Sequence, residues 1–338
     1  MDPLPPTLQI QAEIAILPSM NKAKLLAAGL AAAMTATAVA APATDQRVPF
    51  ADPFILLDGD VYYAYGTSSP NGIAVATSRD LKHWKKDAGR ADGHLALHKN
   101  DSYGERHFWA PEVYRVNGKY IMYYSAEEHT CAATADHPCG PFRQLEQKPL
   151  MSDMKTIDNS LFFDKDGRPW MAFVNIVGGN RIWVAQMEAD CLHVKPGTRR
   201  EILRASEPWE LKDPKCHVVE GPFVIYEKGV YILTYSANSY ENPDYAVGYA
   251  TAKSPEGPWT KAKANPILRR RGGVGTGHHS LFRDKSGRWR IVYHVHDHKG
   301  KIHPRRMLVA DFQISGANGA PKPRVSGTTV VCEWKKSP

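Results

Sequence analysis

Residues 222–235 read PFVIYEKGVYILTY, two runs of aromatic and β-branched residues folded about Lys228-Gly229. Such residues suit a pleated, half-buried surface, and a glycine turn between two such runs signals a β-hairpin. The pattern returns four times: at 53–65 around Asp58-Gly59-Asp60, at 111–124 around Asn117-Gly118, at 159–174 around Asp166-Gly167, and at 279–294 around Ser286-Gly287. The aromatics that open the second strands, Tyr62, Tyr120, Trp170, Tyr231 and Trp289, are spaced 58, 50, 61 and 58 residues apart. A further apolar run follows in each unit, at 73–78, 131–135, 182–187, 246–252 and 307–312. Five hairpin-plus-strand units of nearly constant period predict an all-β, five-bladed β-propeller in a single domain over residues 41–338. No long stretch carries helical periodicity, and a two-sheet sandwich does not require this repeat.

The whole chain has 338 residues, 43% apolar and 23% charged, which excludes a mainly disordered, collagen-like or coiled-coil protein. Residues 1–40 stand apart. Lys22 and Lys24 precede an Ala- and Leu-rich run over 25–40 that ends in Ala38-Val39-Ala40. A basic region, a short apolar run and small residues at a cleavage position describe a secretory signal peptide with its start at Met20, behind an N-terminal extension. The run is too short, and too interrupted by Thr35 and Thr37, for a membrane anchor. Export to the periplasm or the medium is expected, with no membrane partner once the signal is removed. The net charge of +8 comes without any Lys/Arg run interleaved with aromatics, so no nucleic-acid partner is expected. Five cysteines are too few and too irregular for a disulfide scaffold, though Cys131 and Cys139 are spaced for a bridge in an oxidising compartment.

The repeat places side chains as well as strands. Nine residues before the turn glycine stand Trp109, Asp158, Glu220 and His278, and seven before it in the first unit stands Asp52. Each precedes the innermost strand of its blade, so all five converge on one mouth of the axial channel. Three are carboxylates set beside Pro, Asn or Gly rather than in a charged run. Opposed carboxylates can hydrolyse a glycosidic bond: one acid protonates the leaving oxygen while an ionised partner activates water, and a third raises the acid's pKa. Trp109 would offer an apolar face to a sugar ring. Calcium, the rival use of three acids, asks for six to eight oxygens, and no D-x-D-x-D-G run occurs.

At Ala51-Asp52-Pro53, Trp109-Ala110-Pro111-Glu112, Ile157-Asp158-Asn159-Ser160, Glu220-Gly221-Pro222 and Gly277-His278-His279-Ser280 the chain resembles the family 43 glycoside hydrolases. The five motifs occur in that family's order, in register with the five blades, between about residues 50 and 315. The resemblance implies an inverting hydrolase of arabinose- or xylose-containing polysaccharides or oligosaccharides. Asp52 is then the general base, Asp158 the pKa modulator and Glu220 the general acid. It further implies no required cofactor, an axial role for His278 near a water network or a calcium or other ion, and a substrate-contacting arginine at Arg306 or its neighbour Arg305. The chain carries no appended β-sandwich of the kind some xylosidases of the family have, which favours an exo-acting α-L-arabinofuranosidase over a β-xylosidase or an endo-arabinanase. A non-catalytic carbohydrate-binding propeller would need no such acid trio.

Other features carry weaker expectations. Glu112 is either a fourth acid or a structural hydrogen-bonding group. His294, His296 and His298 alternate as if on one strand face, a polar channel lining rather than a zinc site. Of His278 and His279, only one can point inward. Trp84, Phe142 and Trp259 suit packing between blades.

Overall fold

Every glycine turn read from the sequence closes a hairpin in the computed structural model, which describes residues 45–270 and 272–336. The signal peptide and the extension before it lie outside the described residues. Blade one is β1 (Ala51–Asp58), β2 (Val61–Ser69) and β3 (Gly72–Ser78); after a two-residue β4 (His83–Trp84), β5 (Leu95–His98) adds its outer edge. Blade two has three strands, β6 (Trp109–Val116), β7 (Lys119–Ala126) and β8 (His129–Ala135). Blade three is β9 (Thr156–Phe163), β10 (Pro169–Asn175), β11 (Arg181–Gln186) and β12 (Arg200–Leu203). Blade four is β13 (Val219–Glu227), β14 (Val230–Ala237), β15 (Ala246–Ala252) and β16 (Thr260–Lys261). Blade five is β17 (Thr276–Arg283), β18 (Trp289–Val295), β19 (Arg306–Ala317) and β20 (Ala320–Val331). The first strands touch in a ring, β1 to β6, β6 to β9, β9 to β13, β13 to β17 and β17 back to β1. The chain is a five-bladed β-propeller.

Apolar faces of adjacent blades make the core. Between blades three and four, Phe162, Trp170 and Val184 pack with Val224, Leu233 and Tyr235. Trp84 and Phe142 are fully buried and Trp259 partly so. The seam between blades five and one is reinforced by two segments far apart in sequence. After β20, β21 (Glu333–Trp334) lies parallel to β4, while the Val48 N–H donates to the Cys332 carbonyl (2.8 Å) and the Met307 N–H to the Val48 carbonyl (3.0 Å). The Cys131–Cys139 bridge does not form: all five cysteines are free, and both of these thiols are buried in one apolar cluster.

One irregularity recurs in all five first strands. In each, two residues face one on the second strand: Asp52-Pro53, Ala110-Pro111, Asp158-Asn159, Gly221-Pro222 and His278-His279. These are β-bulges, which bend a strand and re-aim a side chain. The first residue of each is left-handed: Asp52 (φ 49°), Ala110 (44°), Asp158 (53°), Gly221 (54°) and His278 (43°). Proline follows in three of the five, as a bulge allows because the ladder there needs no N–H. For a residue with a Cβ the left-handed region costs roughly 1–2 kcal/mol, so the ring holds four strained residues at its centre.

Candidate active site

The bulges correct the counting of the repeat. The structural equivalents around the axis are Asp52, Ala110, Asp158, Gly221 and His278. Trp109 and Glu220 stand one residue earlier, on the step that Ala51, Ile157 and Gly277 occupy in the other blades. Two tiers result. Bulge residues line a small axial cavity, and the residues before them, except Gly277, line the open pocket above it together with Asp52, Asp158 and His278. The three acids therefore do meet at one mouth, but Glu220 enters from the upper tier.

Asp52 is 7% exposed. Arg305 Nη1 donates to its Oδ1 at 2.7 Å, and Nη2 approaches Oδ2 at 3.4 Å. The Nδ1 atoms of His278 and His294 each stand 3.3 Å from Oδ1, and its own N–H donates to His294 Nδ1 (3.1 Å). Burial alone would raise this carboxyl. The Arg305 guanidinium, helped by the His278 imidazole, overrides it and holds Asp52 well below the usual carboxylate range. His294 is pushed down to about 3 by burial and the Arg305 charge, so it is neutral and Arg305 is the fixed cation. Crowding is concentrated on Oδ1, which leaves Oδ2 the better placed to accept from a water.

Asp158 sits across the His278 ring, whose Nε2 is 4.0 Å from Asp158 Oδ1. Its Oδ2 accepts the Gly221 N–H at 3.2 Å. Burial first, then the charges of Glu220 and Asp52, raise it well above the ordinary range. Glu220 is held at both oxygens: Tyr245 Oη donates to Oε1 and Asn180 Nδ2 to Oε2, both at 2.9 Å. Burial outweighs those bonds, and with the Asp52 charge it pushes Glu220 up to about 7. One side of the pocket thus keeps an ionised carboxylate and the other a carboxyl that holds its proton near neutral pH.

The sequence missed Asn180 and Tyr245. Each immediately precedes the third strand of its blade, β11 and β15, so the repeat logic extended to third strands was the available signal. Arg305 and Arg306 both line the pocket, but it is Arg305 that reaches Asp52; the Arg306 guanidinium is engaged elsewhere, its Nε on Asp297 Oδ1 (2.8 Å), its Nη2 on Asp45 Oδ2 (2.7 Å) and its Nη1 on the Arg47 carbonyl (3.2 Å). Of the paired histidines, His278 faces the acids while His279 lies buried with Nε2 on Thr234 Oγ1 (2.7 Å). Nor do His294, His296 and His298 share a strand face. β18 ends at Val295, and His296 and His298 turn in the loop beyond to the Tyr240 carbonyl and to Asp297.

Glu112 bonds the Tyr114 hydroxyl, and burial pushes it up to about 8. It lines the axial cavity, beneath the open pocket. That cavity, about 10 Å³, has room for one water-sized guest beside Asn159 and His279, whose side chains offer polar atoms with no protein partner. Calcium needs six to eight oxygens, and among the described residues no three acidic, His or Cys side chains cluster as metal ligands. The lining does not fit a calcium cage.

The pocket above encloses about 1310 Å³. Trp109 stacks on His107 (centroids 4.5 Å, 23° between planes) at one wall. At another, Tyr240 covers the Arg305 guanidinium at 4.5 Å. Beside Glu220 the wall is formed by Ile157, Ile176, Cys216 and Val218.

A five-bladed propeller with three buried carboxylates at its axial mouth defines a class, the propeller glycosidases. The chain belongs to glycosyl hydrolases family 43, whose model matches residues 45–318. Among solved structures it is similar to an endo-1,4-β-xylanase from Bacteroides thetaiotaomicron, at 43% identity and a TM-score of 0.79 over 86% of this chain and 98% of that one. It is also 29% identical over 269 residues to the β-D-galactofuranosidase xynD of Aspergillus niger, covering 72% of this chain and 73% of that protein. The extracellular endo-α-(1->5)-L-arabinanase 1 of Bacillus subtilis is 28% identical over 260 residues, 72% of this chain and 77% of that one. The chain is thus an O-glycosyl hydrolase of a family acting on plant polysaccharides.

Proposed function

We propose that the protein is an exported, exo-acting α-L-arabinofuranosidase that works with inversion, and the observation that carries the mechanism is the contrast in partners across one pocket, the Arg305 guanidinium on Asp52 against the neutral donors Tyr245 and Asn180 on the buried Glu220. Glu220 gives its proton to the glycosidic oxygen as the C1–O bond breaks towards that oxygen. A water held at Asp52 Oδ2 attacks C1 from the opposite face and loses its proton to Asp52. Burial and the Asp52 charge keep Glu220 protonated, Asp158 accepts the Gly221 N–H next to it, and the His278 ring lies between Asp52 and Asp158.

The furanoside assignment is supported by relatives named for arabinofuranose chains and for galactofuranose. β-D-Galactofuranosides and α-L-arabinofuranosides share their ring configuration and differ in the exocyclic chain. An endo mode is favoured by one observation, a cavity larger than the roughly 300–1,000 Å³ of a single-ligand site. Export is supported by the segment over 20–40 and by relatives named extracellular.

The test is a panel of 4-nitrophenyl glycosides with proton NMR of the first sugar released, then digestion of linear arabinan. The α-L-arabinofuranoside should be cleaved fastest, with the anomeric configuration inverted, and arabinan should yield arabinose from the start. Retained configuration sinks the mechanism, and early trimers and longer products sink the exo mode. Glu220→Ala should lose roughly 10²–10⁴-fold on unactivated substrates and far less on activated aryl glycosides, whereas Asp52→Ala should lose on both alike.

A further inference from the structure

Tyr245 lies just ahead of β15, fully buried, in a site shaped to its ring. Its hydroxyl donates to Glu220 Oε1 at 2.9 Å, and its ring stacks on His294 with centroids 5.7 Å apart and planes 16° from parallel. His294 in turn accepts the backbone N–H of Asp52 at Nδ1. One side chain therefore touches the acid directly and the base through a single imidazole. The fit is tight: a Cβ at Gly277 would stand 2.4 Å from Tyr245 Cε1. Behind the hydroxyl stands Ser236 Oγ, which also accepts the His278 N–H at 2.8 Å.

We propose that Tyr245 is a positioning residue for both carboxyls: its hydroxyl donates to Glu220 Oε1 as that carboxyl gives up its proton, and its ring, through His294, keeps Asp52 in register with it. The inference rests on the assignment of Glu220 as acid and Asp52 as base. The proton that reaches the leaving oxygen comes from Glu220, and Tyr245 keeps its own throughout. What Tyr245 supplies is a hydrogen bond that strengthens as Glu220 becomes negative, with Ser236 Oγ behind it able to donate to the tyrosine oxygen. Asn180 holds the other oxygen of Glu220. The remaining titratable and charged groups facing Glu220 are Asp52 on β1, Asp158 on β9, His278 on β17, Arg305 ahead of β19 and Cys216 ahead of β13.

Tyr245→Phe keeps the ring and the stacking and removes only the donor. A donor to the ionised form lowers a carboxyl's pKa, so its loss raises it. The alkaline limb of kcat/KM should move up by about one pH unit. A weaker acid is slower on poor leaving groups, so kcat should fall about tenfold on alkyl arabinofuranosides and little on 2,4-dinitrophenyl ones. Ser236→Ala should move the limb the same way by less, which keeps the test open if the phenylalanine variant does not fold. Tyr235→Phe is the control: Tyr235 is equally buried and donates to Glu210 Oε1 (2.6 Å), outside the pocket, so it should cost stability without moving the limb. An unmoved limb in both Tyr245→Phe and Ser236→Ala, or equal losses for both leaving groups, overturns the proposal. Glu220→Gln separates the two levels: if that variant keeps the wild-type alkaline limb, the acid assignment itself is wrong, whatever Tyr245 does.

Discussion

Arg305 sits 2.7 Å from a carboxylate that burial would otherwise neutralise, and on this one contact rests the proposal that Asp52 is the base of the trio. With the cation in place Asp52 stays ionised below the usual carboxylate range, and Glu220 keeps its proton up to about 7. The proposed mechanism needs Asp52 without a proton and Glu220 with one. The profile of kcat/KM against pH should therefore be a bell, failing on the alkaline side near 7 and on the acid side only below ordinary carboxylate values. In Arg305→Ala the depressed group loses its partner, so the acid limb should climb while kcat/KM drops roughly 10²–10³-fold. An acid limb that does not move in that variant counts against Asp52 as the group that limb reports. The three acids were legible in the sequence because each carries a short motif at a repeat position. Arg305 was not: it neighbours another arginine, and which of two adjacent residues faces the axis is decided by a loop with no periodicity.

At the scale of the strand, the bulge is what makes a site out of a repeat. Without the extra residue, each first strand would present its side chains strictly alternately, and Asp52, Asp158 and His278 would not share the axis with Glu220 one step above. The hairpins were readable from their glycines, but counting back from those glycines slipped by one residue in blades two and four, because the distance from turn to bulge differs between blades. Ala110 and Gly221 are the two bulge positions that put no polar group into the site, and they test the geometry from opposite directions. At φ 44° Ala110 pays for a Cβ, so Ala110→Gly should gain up to about 1 kcal/mol, or lose nothing once the extra freedom of the unfolded glycine is counted. A Cβ at Gly221 would meet His278 Cδ2 at 3.3 Å, in a left-handed residue. Gly221→Ala should therefore lose roughly 1–2 kcal/mol and lower kcat by shifting the ring that separates Asp52 from Asp158. Denaturant melts of both variants check the pair, and equal destabilisation by both would mean that the bulges are not under the strain described.

Closure joins stability to chemistry across the whole molecule. It was invisible in the sequence, because β21 and β4 are two residues each, lie some 250 residues apart and carry no periodic signal. Val48 is the pivot, bonded to Cys332 on one side and Met307 on the other. Its neighbour Arg47 reaches Asp297 Oδ1 at 2.7 Å, where Arg306 also donates, and Lys301 Nζ lies 3.0 Å from the same buried carboxylate. That cluster brackets the loop from which Arg305 extends to Asp52. A chain cut after Val331 loses the partner of Val48 and the strand over β4, and the loosened 45–48 segment no longer holds Asp297 and Arg306 as firmly. The truncated protein should melt several degrees below the intact one. Below its melting temperature, the acid limb of its pH profile should already have moved up, in the direction of Arg305→Ala but less far. Trp84→Ala removes a fully buried side chain at the same seam and should cost about 3–5 kcal/mol by its cavity, while leaving the 45–48 segment paired. Comparing the two separates lost stability from lost positioning. If both variants melt early and both keep the wild-type acid limb, closure serves the fold alone, and Arg305 is held by its own contacts with Asp52 and Tyr240.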